Sequence, residues 1–405
     1  MATPSPRPHV AAAWIALALA LAVLGCGHSE PAFPKQPYAF PTEAAEAPRI
    51  ERIACSISVD KRRMSLEAAM RQYNVQGVSA AAMVGGRVVW ARAWGFADAA
   101  KRTPMRPETV MQAASVSKPL TAVAVMRMVQ AGKLNLDADV TQYFDGWEPQ
   151  FKGRKARLTL RQLLSHSAGL NVHGFKGYKS TVSDLPSTID ILNGRGNSAK
   201  VKVALPPSAQ QEYSGGGFVV VQAAIEGEVQ DPFEAAMYDW LIKPFGLRRT
   251  TFMQPPSEDN LRTLASAHGP DGRPIPGRFH VYPMMAAAGM WTTPTDLLTV
   301  AGSLSASYNG AGGPLSTALV RQMLTTQSPT GSVGIGWFLA DRGGGVMEAS
   351  HSGLNEGFSS AVSWRTDGFG AAVMVNGEGP IAGGLLRAIG EAYGWRESSG
   401  GGCAN

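Results

Sequence analysis

Two tetrads in the sequence place a serine three residues before a lysine, as expected of a serine nucleophile beside an amine base. They are Ser58-Val59-Asp60-Lys61 and Ser115-Val116-Ser117-Lys118. On a helix, residues three apart lie on the same face, so the hydroxyl and the amine can meet. The chemistry that this arrangement predicts is attack of the serine oxygen on a carbonyl carbon, with an amine nearby to take the proton.

The two tetrads differ in the residues that come after them. Lys61 begins a run of three cations, 61–63, with no apolar helical pattern behind it. Lys118 is followed by Pro119 and then by a mainly apolar run over 120–129. Because proline fits the first turn of a helix and breaks its interior, we expect a helix to begin close to Ser115.

At the start of that helix, Ser115 would lie among unpaired backbone N–H groups and the positive end of the helix dipole. Both favour a negative charge that develops on a reacting oxygen. This segment alone leaves an alternative open, in which Ser115 only caps the helix and Lys118 is solvated. The tetrad from Ser58 to Lys61 is interpreted as a chance match.

Several other chemistries are excluded by inspection of the motifs. The sequence has no G-x-S-x-G, no P-loop and no G-x-G-x-x-G. Its seven histidines form no H-E-x-x-H, and no Cys/His cluster has zinc spacing. We therefore expect neither a metal nor another cofactor.

Secondary structure is predicted from hydrophobic periodicity and turn residues. The predicted elements are a helix over 65–72 capped by Ser65, strands over 77–84 and 87–96 around Gly85-Gly86, mainly helical structure over 115–246, strands over 357–365 and 370–376, and a closing helix over 385–393. Strands at both ends with helices between them indicate an α/β (α+β) fold. We expect an antiparallel sheet flanked by N- and C-terminal helices, with an inserted, mostly helical domain.

Four further segments, in order, complete a resemblance that covers about residues 60–395. They are 158–170 (LTLRQLLSHSAGL), Tyr213-Ser214-Gly215, 288–297 (AGMWTTPTDL) and His351-Ser352-Gly353. Together with the tetrad at Ser115, they resemble the serine β-lactamase and penicillin-binding superfamily. The similar branch contains class C β-lactamases, D,D-peptidases, D-aminopeptidases and family VIII esterases. The resemblance places the related domain at 51–396, with a sheet part over about 51–113 and 331–396 and a helical part over about 114–330.

The resemblance implies a role for each matching residue. Ser115 would form an acyl-enzyme, and Lys118 and Tyr213 would share the general-base work. The backbone N–H groups of Ser115 and Leu354 would form the oxyanion hole. Substrate would be bound by the following residues: Gly215, His351, Ser352 and Gly353. His166 is expected to make a structural hydrogen bond to the backbone.

The substrate is less certain than the reaction class, because the sequence departs from the family pattern twice. The family has an asparagine where this chain has Gly215, and in many members a lysine where it has His351. The first prediction is a hydrolase of amide-type envelope substrates, meaning β-lactams, D-amino-acid peptides or peptidoglycan peptides. The alternatives are a family VIII-like carboxylesterase, which Gly215 favours, and a non-catalytic binder of cell-wall peptide.

The N-terminus carries the features of a signal peptide over 1–25, with Arg7 followed by an apolar run over 10–24. The sequence Val23-Leu24-Gly25-Cys26 resembles a lipobox, which predicts lipidation of Cys26 and an envelope protein on the periplasmic side, anchored in the outer membrane. The alternatives are an ordinary leader cleaved nearby, giving a secreted or periplasmic protein, and a simple uncleaved anchor. A proline-punctuated tether is predicted over 26–50 and a flexible tail over 397–405.

Charge and cysteine content complete the sequence evidence. The chain has 37 lysine and arginine residues against 31 acidic ones, a formal net charge of +6, with no run of five like charges. Nucleic acid is therefore not an expected partner, and a small molecule or peptide is. If Cys26 is lipidated, Cys55 and Cys403 remain as a pair that an oxidising compartment could bridge.

Overall fold

A seven-stranded antiparallel sheet lies at the centre of the fold in the computed structural model, which describes residues 32–40 and 43–396. Its strands, in spatial order, are β12 (Phe338–Asp341), β13 (Met347–Asn355), β14 (Phe358–Arg365), β15 (Gly370–Val375), β3 (Gly77–Val84), β4 (Arg87–Asp98) and β5 (Thr103–Pro104). The C-terminal strand β15 pairs with the N-terminal strand β3, with Ala372 opposite Ala81. This confirms the antiparallel sheet predicted from both ends of the sequence.

The other strands form two-stranded ladders. They are β1 (Ile57–Val59) with β2 (Arg62–Met64), β6 (Met111–Gln112) with β11 (Trp291–Thr292), β7 (Gln150–Phe151) with β8 (Arg154–Lys155), and β9 (Tyr178–Lys179) with β10 (His280–Val281). The ladder of β6 and β11 joins the chain just before Ser115 to a segment almost 180 positions later.

Helices flank the sheet and form the segment inserted between its two parts. They are α1 (Glu43–Cys55), α2 (Leu66–Gln72), α3 (Ser117–Gln130), α4 (Leu160–Leu164), α5 (Thr188–Leu192), α6 (Gly215–Val229), α7 (Phe233–Met237), α8 (Lys243–Phe245), α9 (Glu258–Leu261), α10 (Met285–Ala288), α11 (Pro294–Tyr308), α12 (Thr317–Met323) and α13 (Ile381–Ala392). A π-helical turn, Tyr238–Ile242, joins α7 to α8, and 3-10 turns cover Ala114–Val116 and Val140–Gln142. None of these helices has the length and apolarity needed to cross a membrane, over the residues that the structure describes.

The two faces of the sheet belong to two separate cores. Successive side chains of a strand point to opposite faces. On β3, Ala80 and Ala82 therefore join the core that contains α13, whereas Ala81 and Met83 join the core that contains α11 and the inserted helices. The sheet is thus buried on both sides, which is why β3 reads as a continuous run of small and apolar residues.

Several helices and turns form for the local reason that the sequence indicated. Ser65 caps α2, since its side chain accepts the Ala68 N–H at 3.1 Å. Gly85 and Gly86 turn β3 into β4 with φ of +59° and +75°. The closing helix begins at Ile381, four residues before the predicted start.

The predicted tether over 26–50 is wrong at its C-terminal end, because α1 begins at Glu43 and continues through Pro48. A proline inside a helix costs about 3 kcal/mol, so packing must compensate. Ile50 and Ile53 are buried in the core that contains α13. In addition, the Tyr393 hydroxyl donates to Glu46 at 2.6 Å. Tertiary contacts therefore stabilise a helix that the local sequence disfavours.

The described part of the predicted tether, 32–40, is docked on the body of the protein. The Tyr38 hydroxyl lies 2.9 Å from Thr293 Oγ1 and donates to Asp296 at 3.0 Å. Arg249 donates to the backbone oxygen of Gln36 at 3.2 Å. The Phe33 N–H donates to Asn260 at 2.8 Å. This stretch forms no helix or strand, as its prolines predicted, but it is held by side chains of the body and is not a free spacer.

Cys55 is the last residue of α1. It is disulfide-bonded. The other two cysteines of the chain, Cys26 and Cys403, lie outside the described residues, as do the predicted signal peptide over 1–25 and the tail over 397–405. The pairing of Cys55 with Cys403 stays a prediction.

Candidate active site

Ser115 lies in the 3-10 turn Ala114–Val116, which runs directly into α3. Ala114 has a φ of +49°, a left-handed conformation that is uncommon for residues other than glycine. Ser117 stabilises the turn, because its hydroxyl donates to the Ala114 oxygen at 2.6 Å and accepts the Met290 N–H at 3.0 Å. Ser115 itself is half-buried, whereas Ala114 and Val116 are fully buried. The turn therefore leaves the Ser115 side chain accessible while its surroundings are fixed.

Lys118 is buried next to that hydroxyl, as the spacing of the tetrad predicted. Its Nζ lies 3.0 Å from Ser115 Oγ and donates to the backbone oxygen of Ala287 at 2.8 Å. Nζ is also 5.7 Å from the centre of the Phe218 ring. Only 2% of Lys118 is exposed, and this burial lowers the pKa of its ammonium group to about 7. A large fraction of the amine is therefore neutral at physiological pH and can accept the serine proton.

Tyr213 lies on the other side of the serine, in the segment that precedes α6. The Lys118 Nζ lies 5.0 Å from the centre of its ring. Burial raises the pKa of the Tyr213 phenol above its usual value of 10.0, and interaction of the phenol with the Ser115 side chain offsets part of that shift. The phenol is therefore neutral at physiological pH.

These two pKa shifts divide the general-base work predicted for Lys118 and Tyr213. In the structure, burial disfavours the charged form of both groups, so the neutral amine is the stronger base at neutral pH. The arrangement fits proton removal by Lys118, with the Tyr213 phenol interacting with the Ser115 side chain and so able to relay a proton.

Strand β13 packs directly against the turn that carries Ser115. A Cβ atom on Gly353 would lie 2.3 Å from the Ala113 oxygen and 2.9 Å from the Ser115 nitrogen, so only glycine allows this approach. Ser360, opposite Gly353 on β14, donates its hydroxyl to the same Ala113 oxygen at 2.7 Å. Leu354 follows, with 63% of its surface exposed. The structure thus brings together the two residues predicted to form the oxyanion hole, and the role of the Leu354 N–H stays a prediction.

His351 lies on β13 two residues before Gly353, with its ring centre 6.2 Å from that of Tyr213. Its Nδ1 is 2.7 Å from the backbone oxygen of Ser352, so Nδ1 carries a proton and donates it. Burial, with the nearby Lys118 charge, lowers the pKa of His351 to about 3. A neutral imidazole cannot pair with a substrate carboxylate as a cation would, and its buried Nε2 is an acceptor with no partner in the structure. Ser352 is exposed.

Two side chains that were not predicted from the sequence hold the site together. Asn355 donates to Gln112 at 2.8 Å and to the Ala288 oxygen at 3.0 Å. Ser117, described above, fixes the serine turn. Ser117 lies inside the tetrad and Asn355 follows the segment around His351, so proximity to the motifs could have indicated both. Nothing in the sequence marks the backbone oxygen of Ala287 as the acceptor for Lys118.

His166 makes the predicted hydrogen bond to backbone: its Nδ1 accepts the Ser214 N–H at 3.2 Å. The bond also places the histidine at the site, because its ring centre lies 4.4 Å from that of Tyr213.

As for metals, the residues in 32–40 and 43–396 include no group of three or more His, Cys, Asp or Glu side chains that could hold an ion.

Comparison with known families accounts for most of the chain. The Beta-lactamase family profile matches residues 64–393. The chain belongs to the β-lactamase family. Among individual relatives, it is 30% identical to "Esterase EstB" of Burkholderia gladioli over 220 residues, which are 52% of this chain and 55% of EstB. It is 38% identical over 114 residues to "Serine beta-lactamase-like protein LACTB, mitochondrial" of Bos taurus, covering 28% of this chain and 20% of that protein. The chain thus spans about half the length of the first relative and a fifth of the second.

Solved structures of the family share the fold of this chain. The octameric penicillin-binding protein homologue from Pyrococcus abyssi superposes with a TM-score of 0.66 at 21% identity, covering 81% of this chain and 76% of that one. "EstCE1, a hydrolase with promiscuous acyltransferase activity" gives a TM-score of 0.66 at 22% identity, covering 86% and 98%. The architecture is therefore that of the β-lactamase family over most of the chain.

Gly215, which replaces the asparagine of the family pattern, is buried at the first position of α6. A Cβ atom there would lie 2.9 Å from the His173 oxygen and 2.9 Å from the Phe175 ring. The Gly215 N–H donates to that same His173 oxygen at 3.2 Å. The segment around His173 therefore crowds the position at which the side chain of the family's asparagine would begin. Gly215 supports the backbone here and offers no side chain to a substrate.

Proposed function

We propose that this protein is a serine hydrolase in which Ser115 forms an acyl-enzyme that water then hydrolyses. One observation carries the proposal. The Ser115 hydroxyl lies 3.0 Å from a buried Lys118 amine, and burial lowers the pKa of that amine to about 7. A hydroxyl beside a base that is largely neutral at physiological pH is the arrangement that activates a serine nucleophile.

The proposed reaction has two chemically similar halves. In the first, the Ser115 oxygen attacks the carbonyl carbon of the substrate while its proton passes to Lys118, directly or through Tyr213. The tetrahedral intermediate then collapses, and the leaving group takes the proton as its bond to the carbonyl carbon breaks. In the second half, the same base takes a proton from water, which attacks the acyl carbon, and Ser115 leaves with a proton.

The oxyanion of each tetrahedral intermediate would be bound by the backbone N–H groups of Ser115 and Leu354. The close packing of Gly353 against the Ser115 nitrogen supports this assignment, since it brings β13 within reach of the serine turn. Fixed backbone donors of this kind commonly contribute about 3–4 kcal/mol each to transition-state stabilisation.

Among the substrate classes predicted from the sequence, the structure favours small acyl esters over amide-type substrates. An amide nitrogen is a poor leaving group and depends more on side-chain contacts that orient and polarise the amide. In this chain the position of the family's asparagine is a buried glycine, crowded by the backbone of His173 and the ring of Phe175. The 30% identity to a relative named as an esterase agrees with this choice. Leu354, exposed beside the serine, offers an apolar contact for a small acyl chain.

The test compares three classes of substrate on the purified protein: p-nitrophenyl esters, a β-lactam and a peptide. We expect hydrolysis of p-nitrophenyl acetate and butyrate, much weaker hydrolysis of nitrocefin, and little release of D-alanine from a D-Ala-D-Ala peptide. The acyl-enzyme should appear as a mass shift on the peptide that contains Ser115. Nitrocefin or peptide turnover well above ester turnover would favour the amide-type class, and binding of fluorescent penicillin without turnover of any substrate would favour a non-catalytic binder.

Gly215→Asn tests the reason given for the substrate class. If only the missing amide limited amide-type substrates, restoring it would raise their turnover relative to esters. Because its Cβ would collide with the His173 backbone, we expect instead a protein destabilised by about 1–3 kcal/mol with no gain on nitrocefin. A stable variant with improved nitrocefin hydrolysis would contradict the structural argument.

We also propose that Cys26, which lies outside the described residues, is lipidated and anchors the protein in the envelope. The apolar run over 10–24 and the lipobox-like sequence that ends at Cys26 support this. Only five residues lie between Cys26 and Ala32, where the docked segment begins. Cys26→Ser should move the protein from the membrane fraction to the soluble fraction of a bacterial host, and an unchanged distribution would contradict the anchor.

A further inference from the structure

Tyr213 does its proposed work from a stretch without helix or strand. Residues 211–214 form no regular element, and α6 begins only at Gly215. A side chain that relays a proton must be held within a fraction of an ångström, since a misplacement of about 1 Å can cost a factor of about 100 in rate. Contacts from elsewhere in the fold must therefore hold this stretch in place.

His166 supplies those contacts on both sides of the tyrosine. Its backbone oxygen accepts the Glu212 N–H at 2.7 Å, and its Nδ1 accepts the Ser214 N–H at 3.2 Å. Its ring also packs on the Tyr213 ring, with the centres 4.4 Å apart and the planes inclined by 40°. One residue thus fixes the residue before the tyrosine, the residue after it and the tyrosine ring.

We propose that His166 is a positioning residue that holds the Tyr213 hydroxyl against Ser115. The inference rests on the proposed acyl-serine mechanism for its kinetic consequence, although the contacts themselves do not depend on it. It extends the prediction that His166 makes a structural bond to backbone, because the backbone in question belongs to the neighbour of the reacting tyrosine.

The protonation state of His166 agrees with this role. Nδ1 can accept the Ser214 N–H only when the proton of the neutral ring is on Nε2. Burial, with repulsion from the nearby Lys118, lowers the pKa of His166 well below 6.5. Over the pH range in which Lys118 titrates, the histidine therefore remains a neutral acceptor.

The backbone of His166 decides which substitutions give a clean test. Its φ is +56°, in the left-handed region, where glycine and asparagine are the best tolerated residues. His166→Asn keeps that conformation and an acceptor oxygen at about the reach of Nδ1. His166→Gly keeps the conformation and removes the acceptor and the ring. The pair therefore separates the contacts of the side chain from strain in the backbone.

The kinetic readout is the acylation rate on a p-nitrophenyl ester, measured for the full chain with and without Tyr213→Phe. We expect His166→Gly to slow acylation about 10- to 100-fold, and His166→Asn to stay within about threefold of the unmodified protein. In the Tyr213→Phe background, His166→Gly should lower the acylation rate less than about threefold. If His166 acts by positioning the Tyr213 hydroxyl, removing that hydroxyl also removes the effect of His166. Equal losses in both backgrounds would overturn the proposal.

Ser305→Ala is the matched control for loss of a buried hydrogen bond. The Ser305 hydroxyl donates to the Thr366 oxygen at 3.0 Å, at the end of β14 away from the site. This variant should lower the melting temperature and leave the acylation rate unchanged. A comparable loss of acylation in Ser305→Ala would attribute the effect of His166→Gly to general destabilisation and overturn the proposal.

A second readout does not require any turnover. Proteins labelled with ¹³C-tyrosine are compared by NMR, and the Tyr213 signal is assigned by its loss in Tyr213→Phe. We expect that signal to shift or broaden in His166→Gly and to stay in place in His166→Asn, and an unmoved signal in the glycine variant would overturn the inference.

If no substrate is turned over, the proposed function fails and this measurement still decides the role of His166. If the glycine variant does not fold, the asparagine variant decides it, since a displaced Tyr213 signal there contradicts the proposal and a retained one supports it.

Discussion

The same tetrad occurs twice in this chain, and the two copies fold into different structures. Ser58 lies in strand β1, and Asp60 and Lys61 form the hairpin turn to β2 with φ of +47° and +63°. Ser115 and Lys118 lie on consecutive helical turns. An extended strand that ends in a reversed turn does not place a serine and a lysine three residues apart on one face, whereas a helix does.

Burial separates the two lysines as much as geometry does. Lys61 is exposed, whereas only 2% of Lys118 is exposed. Burial removes water from around an ammonium group and so disfavours its charged form. The tetrad becomes a nucleophile with its base only where a helix aligns the two groups and a core desolvates the amine.

The largest expected effect comes from removing one serine and not the other. Ser115→Ala should reduce ester hydrolysis by roughly 10⁴-fold or more and abolish the acyl-enzyme, because no other described group holds its place beside Lys118. Ser58→Ala should leave kcat/KM unchanged. Steady-state kinetics and intact-protein mass spectrometry on the two variants check this. If Ser58→Ala abolished activity and Ser115→Ala did not, the assignment of the site would be wrong.

Lys118 should give the next largest effect. Lys118→Ala is expected to slow acylation about 10²- to 10⁴-fold, as for loss of a general base. Lys118→Arg should fare no better, because a guanidinium group stays protonated at any pH in use. Adding Tyr213→Phe to Lys118→Ala should cost little more than either change alone, since the two groups act as one unit. Fully additive losses would contradict that coupling.

The pH profile tests the same lysine without a mutation. Burial disfavours the ammonium form and lowers its pKa to about 7, so the neutral, basic form gains population as the pH rises through 7. The value of kcat/KM should therefore increase between about pH 6 and pH 8 and then level off. The nearby His351 has a pKa of about 3 and does not titrate in this window. A flat profile of kcat/KM from pH 6 to 8 would contradict the assignment of the neutral Lys118 amine as the base.

Two glycines give a smaller and more specific comparison, because each lets the backbone approach one of the two tetrads. A Cβ on Gly353 would lie 2.9 Å from the Ser115 nitrogen, and one on Gly384 would lie 2.8 Å from the Ser58 oxygen. Each alanine variant should be destabilised by about 1–3 kcal/mol through overpacking, with part of the cost at Gly384 offset by better helix propensity. Gly353→Ala should also lower kcat/KM, and Gly384→Ala should not.

Thermal unfolding and ester kinetics of the two glycine variants separate these outcomes. The approach at Gly353 positions β13 against the nucleophile, whereas the approach at Gly384 only packs α13 against β1. A loss of kcat/KM in Gly384→Ala as large as that in Gly353→Ala would show that the tetrad at Ser58 is coupled to the reaction.

The smallest expected effect is at the exposed end of the first tetrad. Lys61→Ala removes an exposed side chain from a hairpin turn, so the free energy of unfolding should change by no more than about 0.5 kcal/mol, with unchanged kinetics. Denaturant unfolding monitored by circular dichroism checks this. A change above about 1.5 kcal/mol would mean that Lys61 has a structural role that its exposure does not show.

Local sequence determined the elements that carry the site. Pro119 forces a helix to begin close to Ser115, Gly85 and Gly86 turn one strand into the next, and Ser65 caps its helix; in each case the cause lies within a few residues of its effect. The order of the motifs along the chain then indicated the family, the antiparallel sheet and the three residues that meet at the site. These features were predictable because backbone sterics and short-range hydrogen bonds act between neighbours in the sequence.

Only the tertiary structure decided how these groups behave. The pKa of Lys118 is lowered by burial, and its amine donates to the oxygen of Ala287, which lies 169 positions away. The space beside Gly215 is filled by His173 and Phe175 from another segment, and α1 forms through its proline because α13 covers it. Desolvation and close packing depend on which distant segments meet, and no local pattern contains that information. The sequence thus specified which groups could react, and long-range packing decided their protonation state, the space around them and their neighbours.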